Sequence, residues 1–196
     1  MYFSAAPYRR RVAAFVAAVL LLCIPQRNGG FAAEQGVPPA GEYQVKAAFV
    51  YNFIKFVEWP AGRNAREDTL RLCILGVVPV MAPFTDLDGK MVKGKQLTVS
   101  AMMDPQTAGA CQVLFVSSSL SRRMNEVLDV VKGRPTLTVG DTEGYARRGI
   151  MINMYLDNKR VRFEINAKTA RTAGLRVSTK LMSLAGTVYG GDETEE

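Results

Sequence analysis

Ser117, Ser118 and Ser119 close an apolar run, CQVLFVS, that begins at Cys111. Hydroxyls in such a place become nucleophiles only beside a base, and Asp141 or Lys95 are the candidates. The chain contains no histidine. This removes the usual general base, the Ser-His-Asp arrangement and the commonest metal ligand. A hydrolase built on these serines is the least supported functional class, and helix capping is their plainer role. Asp141 and Glu143 lie in GDTEG. Two carboxylates so close can do acid–base work, while acidic residues there equally suit a turn. Arg160 and Arg162 share strand parity and lie near Arg147 and Arg148 in the chain, so they offer an anion or partner site or else a solvated strand face.

The cysteines number three. Cys23 falls in an apolar N-terminal stretch, which leaves Cys73 and Cys111. Two distant cysteines without histidine make a poor zinc site. There is no GxGxxG after a strand and no GxxxxGK[ST], so the sequence predicts neither a metal nor a cofactor.

Arg9, Arg10 and Arg11 precede an uncharged apolar run from Val12 to Ile24, then Pro25 and small residues at Gly29, Gly30, Ala32 and Ala33. A positive start, a short apolar stretch and small residues form the pattern of a secretory signal peptide. The run is shorter than the ~20 residues of a membrane span. A signal peptide is therefore expected over residues 1–32, cut after Ala32, with a retained anchor as the alternative. Export to the periplasm follows. Leu22 ahead of Cys23 argues against lipidation of that cysteine. Of the 25 basic residues the leader takes four, leaving 21 against 18 acidic and lowering the net charge from +7 to +3. A net charge of that size is an ordinary solvated surface and gives no reason to expect nucleic-acid binding. In an oxidising compartment Cys73 and Cys111 become a disulfide candidate, with two buried thiols as the alternative.

The elements that must carry these residues follow from apolar periodicity. Residues 33–41 read as a flexible lead-in and 191–196 as an acidic tail, leaving one domain over 42–190. EYQVKAAFVYNFIKFVEWP predicts a helix apolar on most of its surface, ending at Pro60 and carrying a thin polar stripe at Gln44, Lys46, Asn52, Lys55 and Glu58. Such a helix is buried on most sides, or is half core and half partner surface. TLRLCILG, QLTVSAM, CQVLFVS and PTLTVG read as strands. A short helical piece is expected near Val80 to Leu87, and a helix with Met124, Val127, Leu128 and Val131 at helical spacing, capped by Ser119 or Ser121 and stopped by Gly133. IMINMYL and RVRFEIN flank Asp157, Asn158 and Lys159 as a β-hairpin. Asn166 and then Ser178 or Thr179 open two last helices. Near-continuously apolar strands alternating with helices specify an α/β class: a single three-layer domain, mostly parallel β-sheet with one antiparallel strand, helices on both faces.

Two surfaces are expected to matter. A ligand cleft outside the carboxyl ends of parallel strands would use Gly76, Ser117, Ser118, Ser119 and Asp141. A partner or dimer surface would use the apolar side of the first helix, Phe49, Phe53 and Phe56, together with Trp59, the only tryptophan.

VKAAFVYNFIKFVEWP (Val45 to Pro60) and MINMYLDNKRVRFEINAKTARTAGLRVSTKLMSLA (Met151 to Ala185) resemble the opening and closing signatures of the YfiR family of bacterial periplasmic proteins. LRLCILG, CQVLFV, LTVGD and YARRG lie between them in the family's order. The resemblance implies a mostly parallel α/β sheet and a periplasmic regulator rather than an enzyme. It implies repression of an inner-membrane diguanylate cyclase through the cyclase's periplasmic region, and so lowered cyclic-di-GMP. An outer-membrane lipoprotein that sequesters the repressor, and a homodimer, are further implied partners. Cys73 and Cys111 match two family cysteine positions. Tyr145 and Met151 stand near where a second pair would be, so a second bridge is absent, and the family's paired glycines become Gly149 and Ile150. A small-ligand sensor or solute-binding protein is the alternative function.

Overall fold

The computed structural model describes residues 40–61 and 68–191. The expected signal peptide, most of the lead-in and the acidic tail beyond Gly191 lie outside the described residues. Helix α1 (Ala40–Phe56) leads into β1 (Val57–Glu58). Then come β2 (Thr69–Leu75), α2 (Ala82–Thr85), β3 (Met91–Val92), β4 (Lys95–Met102) and, after a 3₁₀ segment over Pro105–Ala110, β5 (Val113–Val116). A second 3₁₀ segment, Ser118–Arg123, runs into α3 (Met124–Val131). The chain finishes with β6 (Leu137–Gly140), α4 (Tyr145–Arg148), β7 (Ile152–Asp157), β8 (Arg160–Asn166), α5 (Ala167–Thr172), β9 (Arg176–Val177), α6 (Thr179–Met182) and β10 (Thr187–Tyr189).

One eight-stranded sheet has the order β10-β8-β7-β6-β5-β2-β4-β3. Its five middle strands, β4, β2, β5, β6 and β7, run parallel. The predicted hairpin supplies β8, antiparallel to β7. Two further strands join it in direction: β10 lies parallel to β8, and β3 pairs antiparallel with β4 at the other edge. Both are too short, at three and two residues, to show a two-residue repeat in the sequence.

Period-two alternation sorts the strand residues onto two faces. Leu70, Leu72 and Ile74 of β2, Val113 and Phe115 of β5, and Leu137 and Val139 of β6 pack in one core with α1. Cys73, Leu75, Leu114 and Val116 pack in a second core with Met124, Val127 and Val131 of α3. All four residues of β5 are fully buried. A strand covered on both faces can use apolar residues at every position, which is why these runs read as continuous.

On α1 the buried residues are Tyr43, Lys46, Ala47, Val50, Phe53 and Ile54, at spacings that share one helical face. Gln44, Val45, Ala48, Asn52 and Lys55 are exposed, so the helix is not buried on most sides. It ends at Phe56 rather than near Pro60, because Val57 and Glu58 leave the helix to pair with Val177 and Arg176 of β9. Asn166 caps α5 by accepting from the Thr169 amide at 2.9 Å, and Ser178 caps α6 by accepting from the Leu181 amide at 3.2 Å.

Cys73 on β2 and Cys111 ahead of β5 form a disulfide, with Cα atoms 6.0 Å apart. It closes a loop across 38 positions and staples two neighbouring central strands within the α3-side core. In the chain-entropy view a loop of that size stabilises by about 3–4 kcal/mol. Cys73→Ser with Cys111→Ser should lower the unfolding free energy by roughly that amount, read from urea denaturation of the purified protein.

Candidate functional site

The serine run does not form an open cleft. Ser117 Oγ and Ser119 Oγ lie 2.7 Å apart, and Ser119 Oγ accepts from the Val77 amide at 2.9 Å. Gly76, at the end of β2, has φ +90°, and an added Cβ would meet both hydroxyls at 2.5 Å, with Leu120 Cδ2 closer still. Only glycine fits there. The serines therefore fasten the turn after β2 to the turn after β5, and the expected capping of α3 by Ser119 or Ser121 is replaced by the 3₁₀ lead-in. Ser118 is exposed. Lys95 opens β4, at the amino end of the parallel strands, whereas the serines follow the carboxyl end of β5. The nucleophile and that base are thus held at opposite ends of the sheet.

Asp141, the remaining member of the expected cleft, is directed elsewhere. It follows β6, and its side chain is only 4% exposed. Lys46 Nζ of α1 donates to Asp141 Oδ2 at 2.9 Å and pairs with Glu42 one turn earlier at 2.6 Å. Tyr43 Oη donates to the same Asp141 oxygen at 3.4 Å, and Lys46 Nζ lies 4.6 Å from the Tyr43 ring centroid. Asp141 Oδ1 is buried with no partner among the described residues. Burial, then the charge of Asp141 and that of Glu42, pushes the Tyr43 phenol far above its usual range. Burial likewise raises Tyr145, whose hydroxyl donates to Ser117 O at 3.2 Å.

A second set of polar groups adjoins this one. Gly140, Asn153, Glu164 and Thr187 pair in register across β6, β7, β8 and β10. Asn153 is fully buried; it accepts from the Thr142 amide at 3.3 Å and donates to Glu164 Oε1 at 3.0 Å. Tyr189 Oη donates to Glu164 Oε2 at 2.9 Å, and Arg147 Nε donates to Tyr189 Oη at 3.2 Å. Gly140 is required because a Cβ would meet Tyr145 at 2.7 Å and Asn153 Oδ1 at 2.9 Å. Between the two sets lies a cavity of about 570 Å³, lined by Glu42, Lys46, Asp141, Glu164 and Tyr189 among others. Of the expected cleft residues only Asp141 lines it.

The expected arginine cluster is dispersed. Arg162 pairs with Asp157 on its own hairpin at 2.8 Å, Arg148 donates to Ser121 O at 3.1 Å, and Arg147 belongs to the cavity. On the expected partner surface, Phe53 is fully buried and belongs to the core. It sits 5.6 Å from Phe49 and 5.0 Å from Phe163 by ring centroids. Phe49, Phe56 and Trp59 are half-buried along the flank of α1. Sequence reasoning missed Glu42, Tyr43, Glu164 and Tyr189, and placed Lys46 only in the thin polar stripe of the first helix. The one available signal was the Glu42–Lys46 spacing of four on a helix otherwise so apolar.

Among the described residues no three histidine, cysteine or acidic side chains cluster so as to hold a metal ion, and no helix is long and apolar enough to cross a membrane. The domain is a three-layer α/β sheet with a polar cavity beside the carboxyl end of a parallel strand. The YfiR/HmsC-like family model matches residues 43–186, and the chain belongs to that family, whose members are periplasmic regulators rather than catalysts. Among solved structures it is similar to a conserved domain protein from Vibrio cholerae O1 biovar El Tor, at 10% identity and TM-score 0.51, covering 72% of this chain and 59% of that one. It is also similar to the ABC domain in complex with L-Trp from Streptococcus pneumoniae, at 11% identity and TM-score 0.52, covering 72% and 61%. At these identities the likeness is one of fold, and this chain spans about three-fifths of each of those chains.

Two outcomes are expected at this site. Lys46→Met leaves Asp141 and Glu42 uncompensated and should cost about 3–5 kcal/mol, and Asp141→Leu added to it should restore part of that loss, measured by urea denaturation. Because folding favours the protonated phenols of Tyr43 and Tyr145, their contribution is whole below the ordinary tyrosine range near pH ~10 and is lost as the pH climbs above it. The urea midpoint of Tyr43→Phe should fall less steeply over that alkaline range than that of the wild type.

Proposed function

We propose that this protein is an exported periplasmic repressor that binds the periplasmic region of an inner-membrane diguanylate cyclase and lowers cyclic-di-GMP. The observation that carries this reading is the YfiR/HmsC-like match over residues 43–186. Repression works by population shift: the domain binds the inactive form of the cyclase more tightly than the active form and so enriches it. The half-buried flank of α1, with Phe49, Phe56 and Trp59, is the proposed contact surface for the cyclase or for a second copy, since aromatic side chains make the strongest anchors at interfaces. An outer-membrane lipoprotein that sequesters the domain would relieve the repression.

A second reading, a sensor of a small periplasmic ligand, is favoured by the cavity beside Asp141, whose buried Oδ1 lacks a partner among the described residues. The two readings are compatible, since a ligand that prefers one conformation biases what the domain binds.

Deleting the gene should raise cellular cyclic-di-GMP severalfold under biofilm-forming conditions, measured by mass spectrometry of nucleotide extracts. Re-expression of the full chain should reverse the rise. An unchanged level on deletion would sink the cyclase reading.

A further inference from the structure

The cavity beside Asp141 has an electrostatic character that specifies a ligand class. Its lining carries four carboxylates, Glu42, Asp141, Glu143 and Glu164, against two cations, Lys46 and Arg147, a formal charge of −2. Both cations already have partners. Lys46 lies between Glu42 and Asp141, and Arg147 donates to Tyr189 with its guanidinium 5.8 Å from that ring centroid. Glu143 is exposed, while the Asp141 side chain is buried, with one carboxylate oxygen unpartnered among the described residues. A buried acceptor without a donor is unfavourable, and a ligand N–H can remove that penalty.

We propose that this cavity binds a small aliphatic amine carrying two or more ammonium groups. Two positive charges neutralise the lining. The N–H donors meet acceptors on Asp141, Glu143 and Glu164. The rings of Tyr155 and Tyr189, which also line the cavity, offer faces to methylene groups and to a cation. A volume of about 570 Å³ is of the order usual for small-molecule sites. An anionic ligand would meet the excess carboxylates and be repelled. This inference deepens the sensing reading and is independent of what the domain represses.

The purified full chain is titrated with spermidine and with putrescine, with succinate as the anionic control, and thermal unfolding is followed. At about ten times Kd an amine should raise Tm by ~3–6 °C. The shift should shrink as salt is raised, because the recognition is ionic. Glu143→Gln combined with Glu164→Gln should weaken binding by about tenfold, taking each 1.4 kcal/mol as one decade. Asp141→Asn should abolish binding, but Asp141 also anchors Lys46, so the Glu143/Glu164 pair carries the test, with circular dichroism confirming its fold. No shift with either amine at millimolar concentration, an equal shift with succinate, or wild-type binding by the double variant would each overturn the proposal. None of these results would alter the cyclic-di-GMP change on gene deletion, which tests repression separately.

Discussion

The structure depends on a sheet that is covered on both faces. β5 lies at its centre with no residue reaching water; its neighbour β2 sends alternate side chains into the two cores, while β6 gives Leu137 and Val139 to the α1-side core. That demand fixes what the helices must be. α1 brings Val50, Phe53 and Ile54 to one side, and α3 brings Met124, Val127 and Val131 to the other. Removing apolar area from water is the main favourable term in folding, and here it is shared between two layers that the central strands hold in common. The disulfide acts within the same logic, joining β2 to the segment that enters β5.

The polar features are arranged around this apolar frame. Where β2 and β5 end, the space that a doubly wound sheet usually leaves for a ligand is filled by Leu120 and two serine hydroxyls. The open space lies one strand further along, beside the end of β6. There α1 contributes Glu42, Tyr43 and Lys46, the loop contributes Asp141, and β8 and β10 contribute Glu164 and Tyr189. The buried Lys46–Asp141 pair thus links the first helix to the centre of the sheet and also forms a wall of the cavity. A ligand that disturbed that pair would act directly on the seating of α1, the helix whose aromatic flank is proposed to meet a partner.

Much of the frame was legible in the sequence. The four central strand runs, the hairpin around Asp157 to Lys159, and the caps at Asn166 and Ser178 all follow from local patterns of period and capping, which depend only on neighbours in the chain. β1, β3, β9 and β10 were not legible, because strands of two or three residues have no period and exist only through pairing. The exposed half of α1 was not legible either. Val45 and Ala48 read as core by type, yet Val45 is 44% exposed, since a helix beside a sheet buries only the side that faces it.

What the sequence determined by itself was the class of domain, its family, and the want of histidine chemistry, because these rest on composition, local period and long specific motifs. The candidate site was decided by tertiary structure alone. Asp141 lies 95 positions from Lys46 and 98 from Tyr43, and Tyr189 lies 25 from Glu164. No spacing rule spans such distances. Only the packing of α1 against the sheet, and the parallel return of β10 beside β8, bring those charges around one cavity.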